Sequence, residues 1–201
     1  MMNLRGEPEL NEKDIMLPLK NYNVNCMSMG FLVKENTPVV WRGLMVMNGI
    51  ERLIFKTDWS DCDILVIDMP PGTGDIQLSI SQNLVLDGAV IVSTPQDVAL
   101  IDARKAIEMF KKVDVPILGL VQNMSFYKCK SCGHVEHIFG DNGVNRLAND
   151  TDCELLGEII IDKLIRETSD SGNPISITEP NSLISSSYKN ICEKLIKKLI
   201  K

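Results

Sequence analysis

Short aliphatic runs recur along this chain, and each ends in polar or turn-forming residues. The four clearest are Ile64–Ile67, Ala89–Ser93, Pro116–Val121 and Leu155–Ile161. A strand buried on both faces reads as a continuous apolar run rather than an alternation, so each predicts a strand of a parallel sheet. Between the runs, apolar residues fall at helical spacing. Leu44, Met47, Ile50 and Ile54 predict a helix over 44–55, with Glu51 and Arg52 facing away. A second helix is predicted over 76–85. A third follows Thr94-Pro95-Gln96-Asp97, with Leu100, Ala103, Ile107 and Phe110 on one face and Arg104, Lys105, Lys111 and Lys112 on the other. Asp97 suits the cap or first turn of that helix. A short helix is predicted over 143–149. A closing one over 185–201 is striped by Tyr188, Ile191, Leu195 and Leu199. Residues 1–40 read as loop-rich, with a strand and turn within 24–33. Residues 167–182 read as a loop around Gly172, Pro174 and Pro180.

Strand and helix alternate, which predicts an α/β fold built on a doubly wound parallel sheet. The 201 residues suit one domain, interrupted by a Cys- and His-bearing insertion at 124–141. Three strand ends carry polar residues: Asp68, Ser93-Thr94 and Asn123. They are expected along one rim of the sheet, where open α/β sheets bind ligands.

Charge and composition narrow the partners. A net charge of −6 and a pI near 5.0 speak against nucleic acid. No apolar run is long enough for a membrane-spanning helix. The first residues lack an apolar signal core and carry Glu7, Glu9, Glu12 and Asp14, unlike a secretory or a basic transit peptide. Of six cysteines only Cys129 and Cys132 are closely paired, which argues against a disulfide framework.

Two motifs carry chemistry. In DILVIDMPPGTGD, residues 63–75, an aliphatic run stops at Asp68 and a glycine-rich turn follows. An acid at such a strand end can hold Mg²⁺ beside nucleotide phosphates, and the glycines let backbone approach a phosphate. The second motif is Cys129-Lys130-Ser131-Cys132, followed by His134 and His137. A thioredoxin-like redox pair fits poorly, because that motif opens a helix after a first strand. A zinc site from the two cysteines and two histidines would be crowded, since zinc-ligand pairs are usually separated by about a dozen residues. A half-site is the third reading, two thiolates from each of two chains completing a Cys₄ shell around an iron–sulfur cluster. A knuckle held by turns alone is the fourth.

Read together, IDMPPGTGD, STPQDVALIDARKAIEMF, GLVQNMS, the C-x-x-C with IFG, and IRETSDSGNPI resemble the successive signatures of one family. It is the Mrp-type group of deviant P-loop ATPases, related to MinD, which carry iron–sulfur clusters to apoproteins. WRGLMVMNGIERL and VNCMSMGF resemble its mitochondrial branch, which serves respiratory complex I. The resemblance implies Asp68 on the Mg²⁺ side of bound ATP and Gly72 and Asp75 in a switch sensing the γ-phosphate. It implies Asn123 at the adenine edge, and Cys129 and Cys132 as ligands of a 4Fe–4S cluster bridging a homodimer. It offers no ligand role for His134 or His137. Apo iron–sulfur proteins, complex I subunits among them, are the implied clients. The mitochondrial matrix is the implied compartment, the cytoplasm the alternative.

That family needs a Gly-Lys-Ser/Thr phosphate loop, yet none of the 13 glycines here is followed by Lys. The expectation is therefore that 1–201 is the C-terminal portion of one P-loop NTPase domain, inactive as an ATPase alone. Without a first central strand it would expose an unpaired edge. The alternative is a non-catalytic zinc-binding or interaction module. A MinD-like membrane tail is weaker, because the apolar stripe of EKLIKKLIK continues the core-facing pattern from Tyr188.

Overall fold

A computed structural model describes residues 1–33, 43–70, 72 and 74–200. In order, the elements are β1 (Leu19–Asn21), β2 (Val24–Cys26), a 3₁₀ turn (Met29–Phe31), α1 (Gly43–Phe55), α2 (Asp75–Asn83), β3 (Ala89–Ser93), α3 (Asp97–Lys112) and β4 (Ile117–Gln122). Then come β5 (Tyr127–Lys128), β6 (Val135–Glu136), α4 (Gly143–Thr151), β7 (Leu155–Glu158), α5 (Lys163–Asp170), α6 (Ile175–Thr178) and α7 (Leu183–Leu199).

A parallel three-stranded sheet, ordered β3-β4-β7, organises the chain. Alternate strand residues point to opposite faces, and each face carries a packed apolar cluster. Ile91 and Leu120 point to one side, into a cluster with Ala103, Ile107 and Phe110 of α3 and Val144, Leu147 and Ala148 of α4. Val121 and Leu156 point to the other, against Ile191 of α7, with Tyr188, Leu195 and Ile165 around them. The predicted stripes of α3 and α7 are thus the packed faces. Lys194 and Lys198 of α7 turn back onto the sheet, Lys194 Nζ donating to Leu155 O at 3.4 Å and Lys198 pairing with Glu154 at 2.8 Å. No helix among the described residues is long and apolar enough to cross a membrane.

Three expectations need correction. Ile64–Ile67 is not a buried strand. It belongs to no sheet, and Ile64, Leu65 and Val66 are 48%, 41% and 84% exposed. An apolar run becomes a strand only where a neighbouring strand offers donors and acceptors. No described strand lies against it, and the outer edge of β3 is likewise unpaired among the described residues. Val92 on β3 is 59% exposed. Second, residues 167–182 are not all loop: α5 and α6 occupy much of them. Asp162 caps α5, its side chain accepting from Leu164 N at 2.7 Å. Third, the strand near residue 24 has an unforeseen partner, since β1 and β2 form an antiparallel hairpin. Tyr22 between them shares its one hydroxyl proton between Gly172 O at 3.0 Å and Asn173 Oδ1 at 2.8 Å, docking the N-terminal segment on the α5–α6 connection.

Candidate functional site

The C-terminal ends of β3 and β4 meet as expected. Asn123 N–H donates to Ser93 O at 2.8 Å, so the polar ends of the two strands share one rim. Asn123 is half-buried, and its Oδ1 accepts from Met124 N at 3.0 Å. That local bond fixes the amide plane while leaving Oδ1 a second lone pair. Asp68 does not share this ladder; it sits on the exposed unpaired segment before the turn.

The turn after Asp68 is tethered from below. Gln77, on the first turns of α2 and only 5% exposed, donates Nε2 to Pro70 O at 3.0 Å. Gly72 has φ +101°, a left-handed conformation that favours glycine, and Gly74 stands at the N-cap of α2. The turn therefore runs straight into the positive end of a helix, where backbone N–H groups suit an anion. Pro71, Thr73, residues 34–42 and the side chain of Asp75 lie outside the described residues, so the γ-phosphate role expected for Asp75 rests on sequence.

The Cys129/Cys132 motif occupies the tip of a hairpin made by β5 and β6. Cys129 N donates to His134 O at 2.8 Å and Gly133 N to Cys129 O at 2.9 Å, closing a tight knuckle; Gly133 has φ +74°. Hydrogen bonding from the backbone amide of Cys132, then that of Ser131, holds the Cys129 thiol below its ordinary value. Such a thiol reaches the thiolate form, the metal-binding form, more readily. Cys129 is half-buried and Cys132 exposed. Lys130, between them, reaches back to Asp162 at 3.2 Å, so the acid that caps α5 also anchors the knuckle.

The two histidines do not complete a metal shell. His134 is exposed; the His137 ring packs on Phe126 at 5.9 Å, with Nδ1 3.6 Å from Asp141. Among the described residues no three His, Cys, Asp or Glu side chains converge on one point that could hold a metal ion.

Sequence reasoning missed the groups beneath this hairpin. Gln122 is 1% exposed and Ser125 fully buried. Gln122 Nε2 donates to Ser125 Oγ at 2.8 Å, Ser125 Oγ donates to Glu158 Oε2 at 2.6 Å, and Gln122 Oε1 accepts from Val144 N at 3.2 Å. Gly143 packs directly against the carbonyl of Pro95, in the loop after β3. The only trace in the sequence is a lone amide closing an aliphatic run.

Comparison with known proteins gives the family. The chain is 55% identical to a mouse protein named iron-sulfur cluster transfer protein NUBPL, over 99% of this chain and 62% of that one. It is 52% identical to an Arabidopsis thaliana iron-sulfur protein required for NADH dehydrogenase, mitochondrial, over 99% of this chain and 64% of that one. The chain thus spans less than two thirds of these curated relatives. A solved nucleotide-binding protein from Archaeoglobus fulgidus, in complex with ADP and with cobalt found, superposes with a TM-score of 0.71 at 30% identity, covering 88% of this chain and 67% of that one. A ParA family profile described as NUBPL iron-transfer P-loop NTPase matches residues 1–196, and the chain belongs to that family.

Proposed function

We propose that the protein to which this chain belongs is an ATP-dependent carrier that receives a 4Fe–4S cluster and delivers it to apoproteins, respiratory complex I subunits among them. The carrying observation is the knuckle. It presents two cysteines from an exposed hairpin tip, with backbone amides favouring the Cys129 thiolate and, among the described residues, no third ligand converging on them. Two copies of the chain, meeting tip to tip, supply Cys129 and Cys132 twice and so the four thiolates a cubane takes. Exposure suits handover, because an incoming thiolate can reach the iron without unfolding the carrier. The names of the mouse and Arabidopsis relatives support the cargo and the complex I destination, and the Arabidopsis name supports a mitochondrial site of action.

The nucleotide half of the proposal places ATP along the rim. Asn123 reads the adenine edge, Gly72 and Asp75 follow the γ-phosphate, and Asp68 holds Mg²⁺ through water. The ADP-bound Archaeoglobus relative supports a nucleotide site in this fold. The chain's 201 residues form part of one P-loop NTPase domain, with 124–141 as its cluster-bearing insertion. Mg²⁺ would spread the phosphate charge, and ATP turnover would change how the two hairpins face each other.

The test is a transfer assay. The full-length protein, reconstituted anaerobically with iron and sulfide, is mixed with an apo four-iron acceptor, and the acceptor's visible circular dichroism is followed. Wild type is expected to fill the acceptor. Cys129→Ala is expected to carry no cluster and still bind ATP. A Cys129→Ala protein that loads and transfers normally would overturn the proposal. Stoichiometric zinc in a monomer would instead favour the interaction-module reading.

A further inference from the structure

The insertion leaves and rejoins the sheet at two points, and one side chain touches both. At the leading end Ser125 N donates to Ile159 O at 2.9 Å and Ile161 N to Phe126 O at 2.8 Å, which lays the outgoing strand along the extension of β7. At the trailing end the chain enters α4 at Gly143 and Val144. Gln122, the last residue of β4, donates from Nε2 to Ser125 Oγ and accepts at Oε1 from Val144 N. Gln122, Ser125 and Val144 are 1%, 0% and 0% exposed, so water cannot substitute for either bond. A primary amide suits this place because it presents an acceptor and a donor that diverge within one plane. Methionine would leave the Val144 N–H without its partner and Ser125 without a donor. Glutamate would put a second carboxylate one hydroxyl away from Glu158.

The same residue belongs to the rim. Gln122 is paired with Ser93 of β3 on one side and Glu158 of β7 on the other, and Asn123 follows it. The trailing arm also rests on the β3 side of the rim, where Gly143 abuts the Pro95 carbonyl.

We infer that Gln122 is a positioning residue: its amide clasps both ends of the insertion and so fixes the direction in which the Cys129/Cys132 hairpin leaves the strand end that carries Asn123. The clasp deepens the carrier reading and rests on it only for the role of the hairpin. Because the bond sits on β4 itself, movement at the rim would be felt at the knuckle through this amide.

The experiment compares Gln122→Met with Leu120→Ala in the full-length apo protein by hydrogen exchange and mass spectrometry. Leu120 is fully buried on the same strand, in the cluster shared by α3 and α4, and its side chain forms none of the clasp's hydrogen bonds, so it reports general destabilisation. Gln122→Met is expected to speed exchange in peptides covering 126–142 by about tenfold, the order expected when buried hydrogen bonds are lost, while β3 and α3 change less. Leu120→Ala is expected to raise exchange in β3, β4 and α3 alike. If Gln122→Met does not fold, Ser125→Ala, which removes one half of the clasp, carries the same selective readout. Cluster loss to an iron chelator is expected to quicken about tenfold in Gln122→Met. Exchange over 126–142 that matches wild type, or that rises no more than in β3, would overturn the clasp. A wild-type protein that takes up no cluster would sink the carrier reading, and the exchange contrast would still decide the clasp.

Discussion

Gly143 is the position where a single methyl group tests the packing beneath the hairpin. It is buried at the start of α4. A Cβ there would lie inside contact distance of the Pro95 carbonyl oxygen and 2.9 Å from both Pro95 C and Leu100 Cδ1. Leu100 can rotate; the Pro95 carbonyl cannot, because it follows β3 and precedes α3 directly. Gly143→Ala must therefore move α4 or the loop, the situation in which overpacking costs about 1–3 kcal/mol or somewhat more. The gain in helix propensity from glycine to alanine, at most about 1 kcal/mol, offsets part of it. A net loss of about 1–2 kcal/mol would lower the melting temperature by roughly 2–8 °C in a domain of this size. Urea unfolding of the full-length protein, followed by circular dichroism, measures it as a fall in midpoint at constant slope. Gly133→Ala shows backbone strain without overpacking. It meets no atom within 4 Å, but its φ of +74° carries a left-handed penalty of about 1–2 kcal/mol. An unchanged midpoint in Gly143→Ala would refute the packing argument.

Leu120→Ala, at a fully buried position on β4, is expected to cost about 2–5 kcal/mol in the same unfolding experiment. Alkylation of the apo protein, mapped by mass spectrometry against pH, is expected to find Cys129 reacting with a midpoint below that of an ordinary thiol, about 8.5, because backbone hydrogen bonds favour its thiolate. Cys26, whose thiol burial pushes upward, is expected to react with a midpoint above Cys129, and the reverse order would contradict both assignments. Lys130→Ala removes the ion pair to Asp162, whose lysine is 71% exposed. It is expected to change global stability by less than about 1 kcal/mol, a loss visible only as faster exchange in the knuckle.

Much of the fold was legible in the chain itself. Ala89–Ser93 and the stripe Leu100, Ala103, Ile107, Phe110 were readable because burial on both faces or on one face imposes a period that sequence displays. Ile64–Ile67 has the same composition and was misread, because a strand is a relation between two segments and a run of aliphatics states only half of it. Residues 163–170 were missed for another reason: two turns give too little periodicity, and the cap at Asp162 looks like any loop aspartate. At the candidate site, the spacing of Cys129 and Cys132 marked the pair that the hairpin tip presents, and Asn123 stood out as the polar close of an aliphatic run. Gln122, Ser125 and Gly143 were not legible. Their meaning lies in contacts 3–48 residues away in sequence, from Gln122–Ser125 to Pro95–Gly143, and one buried amide has no pattern of its own.

The central claim is that two copies of this chain share one cluster through Cys129 and Cys132. Native mass spectrometry of the anaerobically reconstituted full-length protein, with iron and acid-labile sulfide assayed on the same sample, tests it most directly. The account predicts a dimer carrying four irons and four sulfides, the stoichiometry of one shared cubane, and an iron-free protein for Cys132→Ala. A monomer holding a complete cluster or one tightly bound zinc, or a dimer whose iron survives Cys132→Ala, would contradict it.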